Sequence, residues 1–203
     1  MVQLFIDGGN FMFPILVIFI IGFVFVLERL YHLIKGLSNG EPFATEVATI
    51  IKENNLKEAL NHCEDATGPI PNICIAALEN AEDGVESAEK SLDQYAAIEM
   101  ASLEKNMTWI SFCIATAPML GFLGTVWGMI QAFNDIKMAN DISPAVVAGG
   151  ISVALLTTAF GLVVAVILQF FQNAVLYIID GQIVTMQKSS TILLESIKSK
   201  KSD

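Results

Sequence analysis

Hydroxyl side chains recur inside two long uncharged stretches of this sequence, among them Ser111, Thr116 and Thr125 in one and Ser152, Thr157 and Thr158 in the other. At apolar depth a hydroxyl has two uses. It can return its hydrogen to a carbonyl one turn back on its own helix, or it can partner a polar group brought by something else. Neither use moves a proton unaided. Both stretches, and a third nearer the N-terminus, lack Lys, Arg, Asp, Glu and His, and a proton relay through a membrane needs an ionisable group at that depth. The residues therefore leave two options open. One is a passive scaffold, and the other is one wall of a pathway whose titrating carboxylate comes from another chain.

Small residues share those stretches at three- and four-residue steps. Ala117, Gly121, Gly124, Thr125, Gly128 and Ala132 form one stripe, and Gly150, Ala154, Thr158, Gly161 and Ala165 form the other. In lipid the apolar effect no longer drives helices together, so close backbone approach and interhelical hydrogen bonds take over. The two stretches are expected to pack on each other through Gly121, Gly124, Gly128, Gly150, Ala154 and Gly161. The N-terminal stretch has only Gly22 of this kind and a bulky Phe-rich surface, which places it on the lipid side.

The elements that carry these residues must be membrane helices. Hydrophobic residues make up 54% of the 203, charged residues only 16%, a balance too apolar for a soluble domain of this length. A hydrocarbon core of roughly 30 Å takes about 20 apolar residues in a helix. Uncharged runs extend from Gly8 to Leu27, from Asn106 to Asn134 and from Ile142 to Ile179. The reading is an N-terminal tail at 1–10, first span 11–28, polar helical segment 29–105, second span 106–134, short connection 135–143, third span 144–172, and a C-terminal helix and tail at 173–203. The third run is too long to stop at the membrane, and polar Gln169, Gln172 and Asn173 mark where it leaves the lipid.

Lys and Arg are absent from the N-terminal tail, whereas Arg29 and Lys35 follow the first span and Lys188, Lys198, Lys200 and Lys201 crowd the C-terminus. The positive-inside rule then puts the N-terminus and the 135–143 connection outside and the C-terminus in the cytoplasm. The 29–105 segment becomes cytoplasmic. Between Gly36 and Lys105 it holds fourteen Asp and Glu against four Lys, so it is solvated and is no nucleic-acid surface. Its pattern gives short amphipathic helices: one opened by Pro42 and interrupted at Asn54-Asn55, one from Leu56 to about Cys63, and one that begins with Ile73, Ala77, Leu78 and Ala81 after a turn at Gly68-Pro69 and Pro71 and that Gly84 interrupts. From Val85 an apolar stripe of Ala88, Leu92, Tyr95, Ala96, Met100 and Leu103 is expected to run unbroken into the second span. Glu82, Asp83, Glu86, Glu89 and Asp93 read as its solvated face.

Several chemistries have no support. Cys63, Cys74 and Cys113 are odd in number and lack CxxC spacing, so neither a disulfide framework nor a zinc ribbon is indicated. His62 beside Cys63 lacks the further ligands that a metal needs. No nucleophile-base pair or phosphate loop lies at membrane depth, so neither an enzyme nor a cofactor is expected.

Two blocks carry a resemblance. Ala117-Pro118-Met119-Leu120-Gly121-Phe122-Leu123-Gly124-Thr125-Val126-Trp127-Gly128-Met129, followed by Gly150-Ile151-Ser152-Val153-Ala154-Leu155-Leu156-Thr157-Thr158-Ala159-Phe160-Gly161-Leu162, resembles the MotA/TolQ/ExbB proton-channel family, most of all its ExbB and TolQ branch. Glu28-Arg29 after the first span fits the same pattern. The match covers essentially the whole chain, the polar segment more by architecture than by motif.

The resemblance implies an all-α membrane protein of the bacterial inner membrane. It would be a homopentameric ring of three-span subunits whose second and third helices extend far into the cytoplasm. Those helices would line a pore around two copies of a single-span ExbD- or TolR-type partner, each bringing a transmembrane aspartate, with membrane lipid around the ring and a TonB-like protein as a further partner. Thr125 and Thr158 would face the pore with Ser152 and Thr157 beside them, and Asn173 would mark its cytoplasmic exit. The implied task is to convert a proton gradient into work on a periplasmic or outer-membrane process. Two departures bear on this. Val153 stands where many such proteins carry a glutamate, and Ile167 where they often carry a proline. The alternatives are a sodium-coupled MotA-like stator and a non-conducting scaffold.

Overall fold

The computed structural model describes residues 2–35, 40–53, 56–81, 83–139 and 144–202; Asn54-Asn55, Glu82 and the 140–143 part of the expected connection lie outside them. Among the described residues all regular structure is helical: α1 (Val2–Asp7), α2 (Met12–Lys35), α3 (Gly40–Lys52), α4 (Leu56–Glu64), α5 (Pro69–Glu79), α6 (Val85–Leu103), α7 (Met107–Ala139) and α8 (Pro144–Ser202). Three stretches are long and apolar enough to cross a membrane: Met12–Ile34, Val85–Met138 and Val147–Lys200. They overlap the expected spans 11–28, 106–134 and 144–172, of which the first and third begin one and three residues earlier. The chain divides into two compact units, one of residues 1–29 and 106–175, the other of residues 30–105 and 176–203.

In the first unit α2, α7 and α8 meet around Ile15, Cys113, Ala117, Val164 and Leu168, with Phe19, Phe23 and Phe160 packed against them. Gly22 is the point of convergence. A Cβ there would come within 2.8 Å of Leu168 Cδ1 and 3.0 Å of Cys113 Cβ, so α2 sits on both neighbours only because this residue has no side chain. The rest of α2 turns Phe13, Val17, Ile20, Val24 and Leu27 outward, which costs free energy in water and none in hydrocarbon.

Aromatic pairs join α2 and the turn before it to α7, Phe25 stacked on Trp109 at 6.2 Å and Phe11 tilted against Trp127 at 6.1 Å. Eighteen residues of α7 separate the two tryptophans, about 27 Å at the helical rise, close to the thickness that Trp residues bracket at membrane interfaces. The N-terminal segment, expected as a tail, forms α1 instead. Phe5 on it meets Phe13 and Phe160 edge-on, and Gly9, with φ 74, turns the chain into α2.

The expected unbroken helix from Val85 through the second span is not formed. α6 stops at Leu103, and Asn106 has φ 66 before α7 begins. Asn tolerates the left-handed region better than other side-chain-bearing residues, and here its Nδ2 donates to Glu28 Oε2 at 3.1 Å. Glu28 also pairs with Arg29, which is buried. At its other end α7 continues to Ala139, beyond the Asn134 boundary of the uncharged run, because Asp135, Ile136 and Lys137 contain no helix breaker. α8 is a single helix of 59 residues, about 88 Å at the ordinary rise, and Ile167 lies within it without interruption.

The second unit is built as a protein in water is built. Val47 and Ile51 of α3, Ala59 and Cys63 of α4, Ile73, Cys74, Ala77 and Leu78 of α5, and Ala88 and Leu92 of α6 close on Met186, Leu193 and Ile197 of α8. Pro69 starts α5 in its first turn after Gly68 at φ 143, so Pro69 and Pro71 belong to the helix and not to the expected turn before Ile73, because the fixed φ of proline suits a first helical turn. Buried Cys74 donates a hydrogen bond to Cys63, which holds the Cys74 thiol well above the ordinary thiol range and lowers Cys63 against the effect of burial. Outside the core, Lys188 meets Glu41 at 2.6 Å, Lys198 meets Glu89 at 3.6 Å and Asn72 donates to Glu99 at 2.8 Å.

Candidate functional site

The small-residue stripes of α7 and α8 face each other in antiparallel register. A Cβ on Gly161 would lie 2.6 Å from the Ala117 carbonyl oxygen, one on Gly121 2.9 Å from the Thr157 carbonyl oxygen, and one on Gly128 3.3 Å from Ala154 Cβ. Gly150 is pressed against Ala132 in the same way. Backbone thus meets backbone over most of the shared length, an approach that any larger side chain prevents.

That register decides where each hydroxyl points. Thr158 lies at the edge of the contact and donates across it to the Gly121 carbonyl at 3.2 Å. Thr125 is half-buried and donates to the Phe122 carbonyl on its own helix at 2.6 Å. Thr157 is 1% exposed. It fills the space beside Gly124, whose Cβ would lie 2.6 Å from its Oγ1, and donates to the Ala154 carbonyl at 2.8 Å. It stands between the helices rather than on a surface next to Thr158. Ser152 is exposed, on a part of α8 turned away from Thr158. The structure therefore gathers Gly121, Gly124, Gly128, Gly150, Ala154, Gly161, Thr157 and Thr158 into one helix contact, and leaves Thr125 and Ser152 facing outward.

Toward the other end of this contact the side chains turn polar. Gln172, 8% exposed, donates to Ser111 Oγ at 2.6 Å. Gln169 donates to Gln172 Oε1 at 3.3 Å and to Asn173 Oδ1 at 3.0 Å. Asn173 itself is exposed. The sequence marks these side chains singly and misses their connection, because periodicity along one helix says nothing of register against another. A signal exists all the same: counting antiparallel from the Gly121 and Thr158 contact brings Ser111 near the Gln169–Gln172 turn.

Val153 lines a small cavity of about 140 Å³ with Gly8, Gly9, Asn10, Gly124 and Thr157. Gly9 is close enough that a Cβ there would touch Val153 at 3.5 Å. The position at which the resemblance implies a carboxylate is apolar and is covered by the turn after α1. Among the described residues no group of three or more His, Cys, Asp or Glu is placed to hold a metal.

The site is thus a three-helix membrane unit with a glycine-zippered pair and hydroxyls along it. The model of the MotA/TolQ/ExbB proton channel family matches residues 49–188. The chain belongs to that family. It is 30% identical over 182 residues to the ExbB homolog of Methanothermobacter thermautotrophicus, a match covering 89% of this chain and 64% of that protein. It is 40% identical over 81 residues to the biopolymer transport protein ExbB of Xanthomonas campestris pv. campestris, 40% of this chain and 32% of that one. With the Tol-Pal system protein TolQ of Haemophilus influenzae it shares 27% over 158 residues, 72% and 69% of the two chains. The chain spans just under two thirds of the length of the first of these relatives. The MotA/TolQ/ExbB match runs from α3 to α8, so it takes in both units and the whole of the α7–α8 contact. It is a multi-pass membrane protein of this family.

Proposed function

We propose that this chain is the ring subunit of a proton-driven inner-membrane motor. Five copies would surround two single-span partners of the ExbD or TolR type, with the N-terminus periplasmic and the C-terminus cytoplasmic, and the ring would drive a periplasmic or outer-membrane process. The observation that carries this reading is a pair of facts about α7 and α8. Their apolar stretches contain no Lys, Arg, Asp, Glu or His, and they are locked backbone to backbone with hydroxyls at the edge of the contact. A family of proton channels built this way must obtain its mid-membrane acid from elsewhere.

The threonine geometry suggests how that acid is handled. Thr125 and Thr158 already spend their hydrogens on the carbonyls of Phe122 and Gly121. What remains on each oxygen is acceptor capacity. A protonated carboxyl, which donates one hydrogen bond, fits that directly, whereas an ionised one requires the hydroxyl to leave its carbonyl. The resting arrangement thus favours the neutral acid beside Thr125 and Thr158, the form that crosses an apolar lining at least cost. Release of the proton would accompany rotation of a hydroxyl toward the carboxylate. Thr157, enclosed between the helices, serves as wall rather than ligand in this scheme.

Co-expression with a single-span, aspartate-bearing membrane protein tests the reading. A co-purifying complex with a five-to-two mass ratio and proton uptake in liposomes is expected, with Thr158→Val and Thr125→Val assembling normally and losing uptake. Full uptake in both variants contradicts the roles given to the threonines. A sodium-coupled stator has one point in its favour, the apolar Val153; activity that follows a sodium gradient after the proton gradient is collapsed would select it.

A further inference from the structure

The ring reading leaves the inner end of the path to Asn173 alone. On α8 the residues between Thr158 and Gln169 are Ala159 to Leu168, all apolar or glycine. Eleven residues of helix advance about 16 Å. No side chain at the level of the threonines reaches across that gap, so Gln169 is the first polar group on α8 that a proton or water would meet on the way inward. Gln169 and Asn173 are both exposed, and a free glutamine or asparagine side chain on a helix samples several rotamers. Here they are not free. Gln169 is held between the carbonyl oxygens of Gln172 and Asn173, and Gln172 is itself buried and anchored on α7 through Ser111 at 2.6 Å.

We propose that Gln172 is a positioning residue for the inner mouth of the path: clamped to Ser111, it fixes the exposed Gln169 and Asn173 carboxamides where the apolar lining ends. The inference rests on the ring reading above. The chain of bonds has a direction, Gln169 to Gln172 to Ser111, with a second branch from Gln169 to Asn173 Oδ1. Asn173 is left with its amide hydrogens to present, a donor for the oxygen of the first ordered water beyond the gap. A buried amide costs free energy unless it is bonded, so Gln172 holds its position only while Ser111 accepts from it. The same bond joins α7 to α8 beyond the glycine contacts, which makes the mouth and the helix pair one rigid object.

The test uses the full ring with its single-span partner in liposomes and reads proton uptake against pH on the cytoplasmic face. Gln172→Leu keeps volume and removes the bonds; uptake should fall about tenfold, the rate equivalent of one lost hydrogen bond, with assembly and midpoint of thermal unfolding little changed. Adding Ser111→Ala to Gln172→Leu should cost nothing further, because both act through one bond. Gln172→Glu retains a link to Ser111 and introduces a titrating group. It should conduct, and its profile against cytoplasmic pH should acquire an additional titration step that the profile of the natural protein does not show. Undiminished uptake in Gln172→Leu overturns the proposal, as does a Gln172→Glu ring whose pH profile matches the natural one. Should Gln172→Leu fail to assemble, the Gln172→Glu profile decides alone. Absence of uptake in the natural ring with its partner sinks the ring reading and this inference with it. Uptake that Thr158→Val blocks and Gln172→Leu leaves intact sinks this inference only.

Discussion

The two units of this chain answer the same question, how helices stay together, in opposite ways. In the unit of residues 30–105 and 176–203, large side chains point inward: Ile51, Leu92 and Leu193 are fully buried, and charges such as Glu41, Lys188 and Lys198 stay outside. In the unit of residues 1–29 and 106–175 many large side chains, Phe13, Phe122 and Phe170 among them, point outward, and the closest contacts belong to Gly121, Gly128, Gly150 and Gly161. The difference is one of solvent. Water rewards burial of apolar area; lipid does not, so packing must come from shape and from hydrogen bonds such as that of Thr158 to Gly121. Polar groups differ likewise: ion pairs such as Lys188 with Glu41 lie on the surface of one unit, and the carboxamides of Gln169, Gln172 and Asn173 gather at the end of the helix contact in the other.

Truncating a large apolar side chain in each unit, buried in one and turned outward in the other, should break the comparison most visibly. Leu193→Ala leaves a cavity in a water-type core and is expected to cost about 3 to 4 kcal/mol, read by earlier proteolysis and faster hydrogen exchange of α3 to α6. Ile20→Ala, at a site 53% exposed on α2, should change thermal stability in lipid by an amount near zero, because lipid refills the space. A comparable loss in both would mean that the first unit is held together as the second is.

Adding a side chain reverses the ranking. Gly161→Val places carbon against the Ala117 carbonyl and should destabilise the α7–α8 pair by about 2 to 3 kcal/mol, seen as lost ring assembly in mild detergent. The same change at Gly181, where nothing lies within 4 Å of the added Cβ, should be tolerated. Asn106→Ala removes both the side chain bonded to Glu28 and the tolerance for φ 66; a cost of about 1 kcal/mol is expected, with Asn106→Gly recovering the conformational part. Smallest is Lys188→Ala, which removes an exposed ion pair with Glu41 and should cost below about 1 kcal/mol, vanishing at high salt.

What could be read in advance follows the same division. The spans were legible because lipid excludes charge, and an uncharged run as long as that from Asn106 to Asn134 is the length a bilayer requires of a crossing helix. The glycine stripes were legible because close approach in lipid demands small residues at helical spacing. Leu56 as the start of α4 followed from local turn chemistry, whereas Pro69 and Pro71 read as a turn and instead open α5, since proline is as much at home in a first helical turn as in a loop. The break at Asn106 was not legible, since Glu104, Lys105 and Asn106 contain neither Gly nor Pro and the left-handed turn depends on Glu28, 78 residues away. Nor was the fate of Thr157, identical in type to its neighbour Thr158 but one helical step round. One residue faces Gly124 and the other the edge, a distinction that only the register of α7 against α8 makes. The clamp of Gln172 on Ser111 stayed hidden for the same reason.

The central claim is that these helices shape a path but supply no acid for it. Proton uptake by liposomes carrying the chain alone, compared with liposomes that also carry its single-span carboxylate-bearing partner, tests it most directly. The account expects a baseline rate for the chain alone and a large rise with the partner that disappears when the partner's aspartate becomes asparagine; equal uptake with and without the partner would contradict it.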